Sequence, residues 1–94
     1  MTDEAVEVLA LEVLADLQIS DTTTRTKRHI QSAIFRLENT VIGKALTGEL
    51  DPVTNKNIRE YILNYARYAY YGIIDEFKLN YIGLERELQI EAGI

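Results

Sequence analysis

The 94 residues contain no cysteine, no tryptophan, one proline and one histidine. Without cysteine the chain has neither disulfide staples nor thiolate metal sites, so a domain this small needs very regular packing or a partner to hold it. No apolar run approaches about 18 residues, which excludes a transmembrane helix, and the opening MTDEAVEV lacks the basic stretch that begins a secretory signal. Bases are missing altogether from residues 1–24, which hold the acids Asp3, Glu4, Glu7, Glu12, Asp16 and Asp21. The bases concentrate in residues 25–78, and the chain carries a net charge of −5. That balance disfavours a protein that gains affinity by neutralising phosphates. An acidic end beside a basic middle suits head-to-tail contact between copies; the plainer reading is two solvated faces.

What is present is helical periodicity within a single domain. Residues 3–18 predict a first helix, with Thr2 as N-cap, Asp3 and Glu4 at its positive dipole end, and Val6, Leu9, Ala10, Val13, Leu14 and Leu17 as its apolar stripe. Val8 and Leu11 widen that stripe beyond what one neighbour covers, so this helix is packed on two sides within the fold or covered by another subunit. Ser20-Asp21 reads as a break, and residues 22–46 predict a second helix, regular from near Arg25, with Gly43 and Gly48 bracketing its end. The segment 47–57 is a loop: Asp51-Pro52 favours a turn, and Asn55 or Asn57 caps the next helix. Residues 56–77 predict that third helix, which contains Gly72, tolerated there or marking a close approach of another backbone. Residues 78–94 form either a fourth helix or, from residue 88, an extended tail. The expected fold is all-α, a small bundle of three to four helices with a C-terminal tail.

Catalysis needs titratable groups that converge, and few are available. His29 has no partner one turn away and reads as a surface histidine; Asp75 and Glu76 are adjacent and point about 100° apart on a helix, so they do not form an acid/base pair. No phosphate loop or nucleophile elbow is present, and no catalytic residue, metal or cofactor is expected.

The distinctive residues are the six tyrosines. Tyr61, Tyr65 and Tyr68 lie one helical turn apart and form a strip, while Tyr70 and Tyr71 point elsewhere, and one small core cannot bury them all. Tyrosine and arginine are the usual anchors of interfaces, so a subunit or partner interface is expected at Tyr61, Tyr65, Arg67, Tyr68, Tyr71, Asp75, Phe77 and Tyr81.

The run Ile58 to Tyr81, IREYILNYARYAYYGIIDEFKLNY, resembles the C-terminal helical region of the small head-tail connector (adaptor) proteins of tailed bacteriophages and prophages. In that family a tyrosine-rich YARYAYY stretch is followed by an acidic-aromatic DEF and then NY or NF. Upstream, the leucine-rich first helix, the break ISDTTT and the stripe Ile30, Ile34, Leu37 and Val41 are similar in a looser way. The resemblance implies a structural protein without enzymatic activity, assembled as a homo-oligomeric ring of about twelve copies that docks under the portal. Such a ring extends the DNA channel, through which DNA passes without specific binding, and gives a platform to a stopper or tail-completion protein. The implied location is the virion head-tail interface, with the host cytoplasm during assembly, and no membrane. Some family members attach to the portal largely through the C-terminal segment, which implies a docking tail here at Leu88, Ile90 and Ile94 that becomes ordered on binding. The second-helix bases and first-helix acids are then candidates for contacts between ring neighbours. The chain is shorter than the larger members, and its tight 47–57 loop departs from a long channel loop.

A second reading is a small helical DNA-binding or regulatory protein that lays RTKRHIQSAIFR on a duplex, although no tight helix-turn-helix spacing places a recognition helix. A third is a self-associating bundle with neither nucleic acid nor virion role.

Overall fold

Helix α1 (Asp3–Asp16) begins where the sequence places a cap: Thr2 is in extended backbone, and its hydroxyl oxygen accepts the Ala5 N–H at 3.1 Å. The structure is a computed structural model that describes residues 1–17 and 24–93; the Ser20-Asp21 break lies outside the described residues. Among the described residues every element is a helix. After α1 come α2 (Thr24–Glu38), α3 (Val41–Glu49), α4 (Lys56–Tyr70), α5 (Ile74–Asn80) and α6 (Ile82–Ala92). The all-α expectation therefore stands in its coarse form, but the two long helices expected over 22–46 and 56–77 are each broken in two.

The first break is made by Thr40 and Gly43. Thr40 leaves the helical region, caps α3 by accepting the Gly43 N–H at 3.0 Å, and donates its hydroxyl to the Leu37 carbonyl at 2.7 Å. The corner is tight enough that a Cβ on residue 43 would stand 1.8 Å from the Leu37 carbonyl oxygen, so only glycine fits. Gly43 thus sits in the first turn of a new helix rather than marking the end of the old one. The second break is Gly72, at φ +72. Its N–H donates to the Ala69 carbonyl at 3.1 Å and the Ile73 N–H reaches the Tyr68 carbonyl at 3.0 Å, the paired bonds of a Schellman C-cap. Gly72 is a terminator that turns the chain, not slack inside a longer helix.

Helices α1, α2 and α4 pack against one another pairwise and enclose the core. Its centre is Val6, Leu9 and Val13 from α1, Ile30, Ile34 and Leu37 from α2, and Ile58, Ile62 and Ala66 from α4, all nearly solvent-free. Helices α3 and α6 touch each other and add Leu46 and Leu88, both fully buried. The turn before α4 follows the expected chemistry. Asp51 accepts the Val53 N–H through its side chain at 3.0 Å, and Asn55 caps α4 by accepting from Asn57 and Ile58.

The C-terminal segment corrects the expected extended tail, because residues 88–92 are the last part of α6 and Gly93 caps it. Leu88 is a core residue, Ile90 is 80% exposed, and Ile94 lies outside the described residues. None of the described helices is long and apolar enough to cross a membrane.

Candidate functional site

The tyrosine strip forms as expected on one face of α4, and α5 folds back over it. Phe77 is the ring that closes the cluster: Tyr61, Tyr65 and Tyr68 meet it edge-on at centroid distances of 5.2, 5.3 and 5.7 Å, and Tyr81 stacks on it at 4.9 Å. These are the preferred geometries of aromatic pairs, and they result from α5 reversing direction at Gly72. Tyr61 and Phe77 are each only 2% exposed, so both belong to the core and neither is available to a partner. The expectation of an interface at these two residues fails because it treats 56–77 as one straight helix, which would leave the strip without this covering ring. Tyr65, Tyr68 and Tyr81 are half-buried at the rim of the cluster.

The polar ends of these rings are held by neighbours. The Tyr61 hydroxyl donates to Glu85 of α6 at 3.3 Å, and burial, with the Glu85 charge behind it, pushes its phenol well above the usual tyrosine range. Burial also raises Tyr81, helped by Tyr68 and Glu60. Asn80 donates to the Tyr68 hydroxyl at 3.1 Å. Only Tyr71 remains largely exposed, at 58%. It packs edge-on against Tyr70, which in turn meets the His29 ring at 6.3 Å.

The charges are arranged differently from the expectation that first-helix acids reach a neighbouring copy. Glu7 accepts from Lys27 of α2 at 2.5 Å, Glu12 accepts from Arg59 of α4 at 3.1 Å, and Asp16 lies 3.6 Å from Arg67 of α4. The Lys27 hydrogen bond and charge hold the Glu7 carboxyl below its ordinary range. These pairs run along the two seams of α1 and account for Arg67, so that candidate anchor is at least partly committed within the chain. The outward stripe of α2 is not matched in this way. Arg25, Arg28 and Arg36 are exposed, and no ion pair among the described residues involves them. Arg25, Arg28, His29, Ser32 and Tyr70 line an open hollow there, and Arg36 shares a second hollow with Asp75 and Glu76.

Apolar surface is left over on several elements, with Val41 of α3 the most exposed and Phe35 of α2 and Val53 of the loop also uncovered. Val8 and Leu11 of α1 are 54% and 51% exposed, and Val8 borders a hollow of about 330 Å³ whose walls include Ala5, Leu9, Pro52 and Val53. Leu79, Ile82 and Ile90 are exposed on α5 and α6. The Pro52-Val53 wall has no signal in the sequence, because turn residues reveal that the loop bends but not where the bend lies in the fold. Among the described residues no group of three histidine, aspartate or glutamate side chains could hold a metal ion. The described residues offer contact surfaces of two kinds, apolar and charged. Comparison of the chain with protein-family models, curated proteins and solved structures finds no match.

Proposed function

We propose that this chain is a structural head-tail connector of a tailed bacteriophage or prophage, acting as one copy of a ring beneath the portal. The observation that carries this reading is the run Ile58 to Tyr81, whose order of tyrosine strip, glycine, DEF and NY resembles that family. The fold gives a physical sense to that order: the tyrosines of α4, the Gly72 turn and Phe77 of α5 form one interlocked hairpin, each part requiring the others. A role in assembly is further supported by large apolar side chains left outside the core on α1, α5 and α6, which is much for a chain of 94 residues.

In this reading the ring extends the DNA channel, DNA passes without specific binding, and a stopper or tail-completion protein seats on the far side. The portal contact involves the outward side of α6 at Ile90, since Leu88 is occupied in the core. The test is co-expression with the portal protein of the same genome, purification through a tag on the portal, and imaging of the particles. An added ring at the narrow end of the portal, with this chain in near-equal ratio, is the expected result; bare portals with the chain in the flow-through overturn the reading.

A further inference from the structure

The surfaces that the fold leaves unsatisfied on α1 and α2 are complementary in kind. Helix α1 buries Val6, Leu9, Ala10, Val13 and Leu14 inward, yet Val8 and Leu11 on its other side stay more than half exposed. An apolar stripe wider than one neighbour covers is ordinarily covered on its outer side as well. Packing within the fold and another subunit are the two ways to achieve this, and no described segment of the fold covers Val8 and Leu11. Glu4, one turn before Val8 on the same outward face, is exposed and enters no ion pair among the described residues.

The outward face of α2 has the opposite character. Arg25, Arg28 and Arg36 recur along it at helical spacing without carboxylate partners among the described residues, and Phe35 beside them is 40% exposed. Because α1, α2 and α4 pack pairwise, the outward sides of α1 and α2 diverge around the bundle and cannot cover each other within one molecule.

We propose that the outward face of α1 in one copy docks on the outward face of α2 in the next. Val8 and Leu11 supply the apolar centre against Phe35, and Glu4 supplies charge opposite the unmatched arginines. Two different faces meet, so the contact is head-to-tail and propagates to a ring or a filament according to its rotation. A second copy is a better occupant of the α2 face than a nucleic-acid duplex. The chain is acidic overall, which repels a polyphosphate, whereas the α1 face brings the single charge of Glu4 beside the apolar Val8 and Leu11. The inference deepens the ring assembly proposed above and rests on that part of it, but not on the portal.

The experiment uses two variants, each with one face broken: Leu11→Asp on α1, and the pair Arg25→Glu with Arg28→Glu on α2. All these positions are exposed, so the helical circular dichroism and melting should be retained; Leu11→Ser replaces Leu11→Asp if that variant loses helicity. Sedimentation velocity should show concentration-dependent association of the unmodified chain at or below about 1 mM, and its loss in each variant alone. An equimolar mixture of the two should form a one-to-one dimer and nothing larger, because each variant retains the face the other lacks. An unmodified chain that stays monomeric over this range, either variant still self-associating, or a mixture that stays monomeric overturns the proposal. So does binding of a short DNA duplex that the α2 variant loses, with the chain monomeric throughout, which would make α2 a polyanion surface instead. Portal co-purification separates the two readings: a portal-bound chain indifferent to both variants overturns only the face pairing, whereas bare portals beside an intact mixing result overturn only the connector.

Discussion

Helices α1 and α4 pose the same problem in sequence and solve it differently. Each carries more apolar or aromatic surface than one neighbour can cover. On α4 the excess is taken up locally, because the chain turns back at Gly72 and sets Phe77 over Tyr61, Tyr65 and Tyr68. On α1 no described segment returns to cover Val8 and Leu11, and the excess stays at the surface. Surplus apolar surface therefore indicates a partner only after local fold-back has been accounted for, and the segment after a helix decides which case applies.

The largest expected effect removes the covering ring. Phe77→Ala should cost about 3–5 kcal/mol, the usual penalty for a buried aromatic, because every tyrosine of the strip loses its packing partner at once. Urea unfolding followed by circular dichroism measures it, and a cost under about 1 kcal/mol would mean that the aromatic cluster does not hold α5 to α4. Next in size is a contrast within α1. Leu9→Ala, at a buried position, should cost about 2–4 kcal/mol, whereas Leu11→Ala on the outer side should stay within about 0.5 kcal/mol in the monomer. Equal costs at the two positions would break the distinction between a covered and an open face. Gly72→Ala should cost about 1–2 kcal/mol, because its left-handed φ of +72 strains any Cβ-bearing residue, even though no neighbouring atom obstructs a Cβ there.

The legible part of the fold was what local chemistry dictates. Thr2 and Asn55 act as the caps their side chains suit, the Asp51-Pro52 turn forms, and the inward stripes of α1, α2 and α4 follow the helical period, except that Val41, expected in the second stripe, opens α3 instead and is 92% exposed. Less legible was where long patterns break. The 22–46 pattern continues in apolar period through Asn39-Thr40, and that period masks the local signals of the corner, Thr40 as an N-cap and Gly43 where a Cβ would meet the Leu37 carbonyl. Neither reading of Gly72, slack inside a helix or a close approach of another backbone, anticipates that it ends α4 at positive φ with open space beside it. The same applies to the candidate interface. Tyr71 is exposed as the strip argument required, whereas Tyr61, Phe77 and Leu88 were drawn into the core by a reversal that their spacing does not encode.

The smallest effect tests how closed the aromatic cluster is. Burial raises the Tyr61 phenol above its ordinary value of 10.0, which means that the fold binds this proton more tightly than the unfolded chain does. The stabilisation is fully present below about pH 10 and is lost as the pH rises above it, because unfolding then releases a proton that the fold retains. Midpoints of urea unfolding should accordingly be flat with respect to this group up to about pH 9 and fall at higher pH. Tyr61→Phe should cost about 0.5–1 kcal/mol at neutral pH through the lost bond to Glu85, at the low end of the usual range because that bond is long at 3.3 Å, and it should flatten the alkaline fall. Tyr81, raised in the same direction, leaves a residual slope in that variant. An alkaline slope unchanged by Tyr61→Phe would mean that solvent reaches the Tyr61 hydroxyl, and α4 would then differ from α1 in degree rather than in kind.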